Sequence, residues 1–245
     1  LNVDGSLNEI IDRNFGGDSW PTAFSANLGY EFDERNIANL NFQLTNNNFL
    51  SYADRMITDL RVDPAAMRVE RDETPTEDES WEIGGDYMHV FENGSRWRTL
   101  FIANEAVTEE LRSRLQIDES AITKDLFLSN YLKTQERIVR SSYVFDLNET
   151  QSMEAGVERA QTILDTSLQL GLLSSDSDQN TGGSRFGELR PITDANGTVE
   201  EMRYEYFGIH NWQFNDRMSL ETTLLLEEST IYQVGDISRS RNFTF

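Results

Sequence analysis

The chain has 245 residues, of which 38% are apolar, 11% aromatic and 26% charged, too aromatic for a disordered chain yet short of the ~45–50% apolar content of an ordinary globular domain. Forty-three Asp and Glu against 21 Lys and Arg leave a net charge of −22, which repels nucleic acid and excludes it as a partner. The absence of cysteine removes disulfides, thiolate metal sites and thiol nucleophiles.

Several segments show period-two alternation between polar punctuation, which predicts strands. Thr22 to Phe32 puts Phe24, Ala26, Leu28, Tyr30 and Phe32 on one face, with Ala23, Ser25, Asn27, Gly29 and Glu31 on the other. After a turn at Asp33–Asn36, Ala38, Leu40, Phe42 and Leu44 return opposite Asn39, Asn41, Gln43 and Thr45. The unit recurs three times. Trp81–Phe91 turns at Glu92-Asn-Gly-Ser95 into Arg96 to about Ala106; Gln135–Leu147 turns at Asn148–Gln151 into Met153–Leu164; Tyr204–Phe214 turns at Asn215–Arg217 into Leu220–Leu226. In Arg96–Ala106, Trp97, Phe101 and Ala103 compete with Leu100 and Ile102 for the apolar face, and the alternation does not decide between them.

The turns begin at 33, 92, 148 and 215, and so lie 59, 56 and 67 residues apart. The remainder of each repeat reads as a long connection, over 48–80, 110–132 and 171–203, rich in acidic runs such as Glu70–Glu73 and Glu77–Glu79. Short turns at one end and long loops at the other are the pattern of outer-membrane barrels. Rings cluster just before each short turn, at Tyr30 and Phe32, Tyr87 and Phe91, Tyr143 and Phe145, and Trp212 and Phe214, as an interfacial aromatic girdle requires. The opposite face carries Asn27, Glu31, Asn39, Asn41, Gln43, Glu82, Asp86, Glu154, Glu158, Asn211, Glu221 and Glu227. A protein core would not accept these carboxylates without partners, so this face must meet water or a polar partner. The expected fold is therefore all-β: a transmembrane antiparallel barrel segment of up-and-down hairpins with short periplasmic turns and long extracellular loops. Residues 1–245 would supply about eight strands and the start of a ninth.

Trp81-Glu-Ile-Gly-Gly-Asp-Tyr87, Phe91-Glu-Asn-Gly-Ser-Arg-Trp-Arg-Thr-Leu-Phe-Ile-Ala-Asn104 and the ending Ser238-Arg-Ser-Arg-Asn-Phe-Thr-Phe245 resemble barrel strands of TonB-dependent outer-membrane receptors of Gram-negative bacteria. The resemblance implies energy-driven uptake of a scarce small ligand. It also implies partners: outer-membrane lipid and lipopolysaccharide, a plug domain, and the TonB system. The chain departs from the family in showing no TonB box and no plug, and it begins with Leu1, so we expect a piece of a longer barrel. Two alternatives stand beside this reading. One is a complete small barrel ending at Phe245 and serving as anchor, adhesin or pore. The other is a secreted all-β binding or hydrolytic protein.

No catalytic, cofactor-binding or metal residue is expected, and the ligand-binding residues are not readable. Asp176-Ser-Asp-Gln-Asn180 has the oxygen spacing of a calcium loop, but Thr181 and Gly187 replace its turn glycine and bidentate acid, so it reads as a solvated acidic loop. His89 and His210 read as interfacial side chains. Of the glycosylation-type triplets at Asn93, Asn148, Asn196 and Asn242, the first two fall in tight turns and read as turn chemistry.

Overall fold

The computed structural model describes residues 7–117, 122–172, 189–193, 195–235 and 238–244. They form β1 Glu9–Asp33, β2 Asn36–Asp59, β3 Ala66–Val90, β4 Arg96–Ile117, β5 Ile122–Asn148, β6 Gln151–Leu172, β7 Arg190–Pro191, β8 Gly197–Asn215, β9 Met218–Gly235 and β10 Arg239–Thr244, with no helix among the described residues. The strands run up and down in one antiparallel sheet of order β1-β2-β3-β4-β5-β6-β8-β9-β10, and the two-residue β7 sits beside β6. The sheet is open: β1 and β10 are its edges. Eight long strands and an opening ninth are what the alternation predicts, although β10 starts at Arg239 rather than near Asn242.

All four predicted hairpin turns are present, and one device builds them. An Asx side chain at the end of a strand accepts from the amide two residues on, giving the chain a turn independent of the ladder. Asp33 Oδ1 takes the Arg35 N–H at 2.8 Å, Asn93 Oδ1 the Ser95 N–H at 3.1 Å, Asn148 Oδ1 the Thr150 N–H at 2.9 Å, and Asn215 Oδ1 the Arg217 N–H at 3.0 Å. The longest of these turns, between Val90 and Arg96, also needs Gly94, whose φ of 81° is a conformation that a side chain at Cβ disfavours.

Two of the three segments read as long connections are corrected by the structure, while most of the third, 171–203, lies outside the described residues. Most of 48–80 is strand, with only Leu60–Ala65 between β2 and β3, and most of 110–132 is strand, divided between β4 and β5. The acidic runs Glu70–Glu73 and Glu77–Glu79 lie inside β3. Strands β1 to β6 are 22 to 27 residues long, at least twice the ~9–11 that cross a bilayer. Among the described residues, the end opposite the short turns is therefore built largely of extended strand.

Register assigns the faces. Phe24 pairs with Leu44, Ala26 with Phe42, Leu28 with Leu40 and Tyr30 with Ala38; Leu44, Phe42 and Ala38 then pair with Trp81, Ile83 and Tyr87 of β3. Directly paired residues share a face, so one apolar surface runs through these strands. Continuing across the ladder, Trp97 pairs with Tyr143, Phe101 with Val139, and Trp212 with Leu220. The register thus resolves β4: Trp97, Phe101 and Ala103 belong to the apolar face, while Leu100 and Ile102 point the other way beside Arg96 and Arg98.

Almost nothing in this single-layer sheet is buried. Among described residues the buried apolar side chains are Ala53, Ile57, Phe127 and Ala160, whereas Leu224 is 75% exposed, Leu28 63% and Phe24 59%. A sheet stable by itself in water buries at least one face. Here both faces are uncovered.

Candidate functional site

The apolar face ends at the short turns in a band of touching rings. Tyr30 meets Phe32 at 4.7 Å between centroids, Tyr87 meets Trp97 at 5.9 Å, Phe91 meets Tyr143 at 5.6 Å, and Trp212 meets Phe214 at 4.2 Å. Every ring singled out in the sequence lies in this band, and Trp97 of β4 joins it. His89 and His210 sit in the same band, with Nδ1 of His89 2.7 Å from Asn36 Oδ1 and Nε2 of His210 3.0 Å from Gln151 Oε1. Both imidazoles are used in cross-strand polar contacts beneath the rings.

The same ladder carries the twelve polar residues named above to one face. Asn27 pairs with Asn41, Asn39 with Asp86, Gln43 with Glu82, and Asn211 with Glu221. Charges meet in pairs on this wall. Asp86 accepts from Asn39 at 3.3 Å and lies 3.4 Å from the Arg98 guanidinium. Glu158 bridges two arginines, 3.8 Å from Arg140 and 3.2 Å from Arg203, and Arg203 lies 2.9 Å from Glu205.

Phe207 explains the adjacent glycine. It pairs directly with Gly156, and a Cβ built on Gly156 would lie 2.3 Å from the Phe207 ring and 2.8 Å from the Ser141 carbonyl oxygen. The ring therefore rests on bare backbone, and the Arg140 guanidinium stacks on it at 4.1 Å. An aromatic opposite glycine also occurs at Gly16 with Tyr52, Gly85 with Phe101 and Gly171 with Phe127, the pairing that restores packing where a glycine leaves a strand bare.

Farther from the short turns, the polar face carries an ion network that the sequence reading missed. Arg55 lies directly opposite Glu70, 3.5 Å away, and also binds Asp72; Arg112 reaches Asp72 at 3.3 Å from β4. Arg68 joins Glu70 at 3.2 Å to Glu9 at 3.4 Å, and Arg61 joins Glu9 at 3.3 Å to Asp59 at 2.7 Å. Glu70 and Asp72 are 8% and 6% exposed, and Asp72 Oδ1 is buried without a hydrogen-bond partner. The available signal was Arg68-x-Glu70-x-Asp72, charges of both signs at period two. On the opposite face Asp54 grips Arg71 at 2.5 and 2.8 Å, and this guanidinium holds the Asp54 carboxyl below its ordinary range. Asp59 is lowered further, to about 2, first by the Arg61 guanidinium and then by the Arg61 amide.

Asn93 and Asn148 spend their side-chain oxygens in turns, as read from the sequence. Asn196 Oδ1 instead accepts from the Leu168 amide at 2.8 Å, and Asn242 lies in β10. The calcium-like segment Asp176–Asn180 lies outside the described residues. Among the described residues no group of three or more His, Asp or Glu is placed to hold a metal ion, and no helix is long and apolar enough to cross a membrane, which has no bearing on crossing by strands. The chain matches no protein-family model, no curated protein and no solved structure.

Proposed function

We propose that this chain is a wall segment of an outer-membrane β-barrel in a Gram-negative bacterium, and that the barrel is a TonB-dependent receptor for active uptake of a small ligand. The observation that carries the membrane reading is the pairing of an exposed apolar face, edged by rings at the short turns, with a polar opposite face. Lipid satisfies the first and a water-filled or plug-filled lumen the second. The receptor reading rests on the resemblance of the hairpins over Trp81–Asn104 and the ending Ser238–Phe245. It also draws support from the strand length, since strands of 22 to 27 residues rise well beyond a bilayer and form a tall vestibule in which a ligand can be caught. In this reading the chain is not an enzyme. Its lumen-facing wall meets a plug, and its outer face meets lipid and lipopolysaccharide.

The test uses the native full-length protein. It is expected to fractionate with outer membranes, to migrate differently on gels before and after boiling, and to support uptake that stops when the proton-motive force is collapsed. A monodisperse protein without detergent would overturn the membrane reading; uptake indifferent to the proton-motive force would overturn the receptor reading alone.

A further inference from the structure

The polar face holds a groove of about 380 Å³ beside the buried ion network, lined by Arg13, Phe15, Asp72, Thr74, Glu110 and Arg112 among others. Four features of this lining point to a ligand. First, Asp72 is buried and its Oδ1 lacks a donor, a cost that a bound donor would remove. Second, the side chains of Arg13, Thr74 and Glu110 make no hydrogen bond or ion pair among the described residues. Third, the lining balances two guanidiniums against two carboxylates, so it favours no ion of either sign. Fourth, the Phe15 ring is 78% exposed, an apolar plate within a polar groove.

We propose that this groove is a subsite for a neutral oligosaccharide, a proposal that rests on the receptor reading only in naming what is taken up. The Asp72 carboxylate is already met by Arg55 and Arg112 on Oδ2. An incoming ammonium would therefore face two guanidiniums, whereas a hydroxyl adds no charge. Vicinal hydroxyls both donate and accept, so one sugar ring can give a hydrogen to Glu110 or Asp72 and take one from Arg13 or Arg112. The C–H face of a pyranose packs on an exposed ring such as Phe15, which offers area at little entropic cost. A zwitterionic peptide is the rival, binding through Arg13 and Glu110 alone.

The full-length protein in detergent is applied to an array of neutral oligosaccharides, and the best binder is titrated calorimetrically beside triglycine. The expected result is saccharide binding that Phe15→Ala weakens about tenfold, with a similar loss for Arg13→Gln and Glu110→Gln. Asp54→Asn, on the opposite face, should leave it unchanged. Phe15 and Arg13 are exposed, so these variants should keep the wild-type gel shift on boiling. Capture of no oligosaccharide, saccharide binding unmoved by Phe15→Ala and Arg13→Gln, or Arg13-dependent binding of triglycine instead would overturn the proposal. Energised uptake of another ligand class would sink the subsite and leave the receptor reading standing. Saccharide binding without energised uptake would do the reverse.

Discussion

Asp59 shows how one side chain closes a connection on a strongly acidic protein. Its carboxylate accepts from the Arg61 amide at 2.9 Å and from Nε of the same residue at 2.8 Å, so the turn after β2 is held by a charge that must stay ionised. The folded pKa, about 2, lies below the ~3.9 of an unfolded aspartate. The stabilising contribution is therefore fully present above about pH 4 and is lost as the pH falls through 2. A carboxyl-carbon titration should place the Asp59 midpoint near 2, and Arg61→Gln should return it toward the ordinary value; an unshifted wild-type midpoint would remove the pair. At Gly156 the limit is steric. Gly156→Ala drives a methyl against both the Phe207 ring and the fixed Ser141 carbonyl, and should destabilise the sheet by about 1–3 kcal/mol, read as a lower temperature for loss of the compact gel form. Gly208→Ala, where nothing lies within 4 Å of the added Cβ, is the control and should change little.

Strands differ in how much of their partner choice is visible in composition. β9 is the clearest: Leu220, Thr222, Leu224 and Leu226 share the face of Trp212, His210, Gly208 and Tyr206, while Glu221, Thr223 and Leu225 share that of Asn211, Ile209 and Phe207. If the first face meets hydrocarbon, Leu224→Arg should cost about 2–4 kcal/mol near the midplane, whereas Thr223→Arg enters an acidic, wet wall. The measurement is the folded yield of each variant in native outer membranes, and equal yields would mean that the faces are misassigned. The far halves of β1 to β6 gave no such pattern, and the physical reason lies in β3. From Glu70 to Glu79 its side chains are polar on both faces: Glu70, Asp72, Thr74 and Thr76 on one, Arg71, Glu73 and Glu77 on the other. Alternation signals a strand only when its two faces meet different media. Where both are wet, backbone hydrogen bonds and cross-strand pairs such as Asp54 with Arg71 hold the ladder, and composition resembles a loop. At Pro75 the ladder itself is interrupted: the β3–β4 pairing passes over Thr74 and Pro75 between Glu73 and Thr76, because proline has no N–H to donate.

On the scale of the molecule, the open edge is the feature that demands a partner. β1 presents 25 residues of strand bonded on one side only, to β2, and every second amide points away from that ladder. In a closed barrel those amides bond to a further strand. Hydrogen exchange on the full-length protein in detergent should therefore protect consecutive amides over Thr22–Phe32 as strongly as those of β2. Alternating fast and slow amides along β1 would mean that the sheet stays open and that the barrel reading fails.

The sequence by itself determined the hairpins and the chemistry of the two faces near the short turns. Turn formation is local, carried by Asp33, Asn93 with Gly94, Asn148 and Asn215, and a two-residue period crossing from lipid-like to polar surroundings is visible in any ten residues. The tertiary structure decided the rest. It assigned Trp97 and Phe101 to the apolar face through their partners in β3 and β5, since a strand with apolar residues on both sides carries no facing information of its own. It turned most of 48–80 into strand, because a ladder can be held by neighbours when side chains give no preference. It also gathered Arg13, Asp72 and Arg112 from β1, β3 and β4 into one groove: residues far apart in the chain meet only through register, and register is a property of strand pairs.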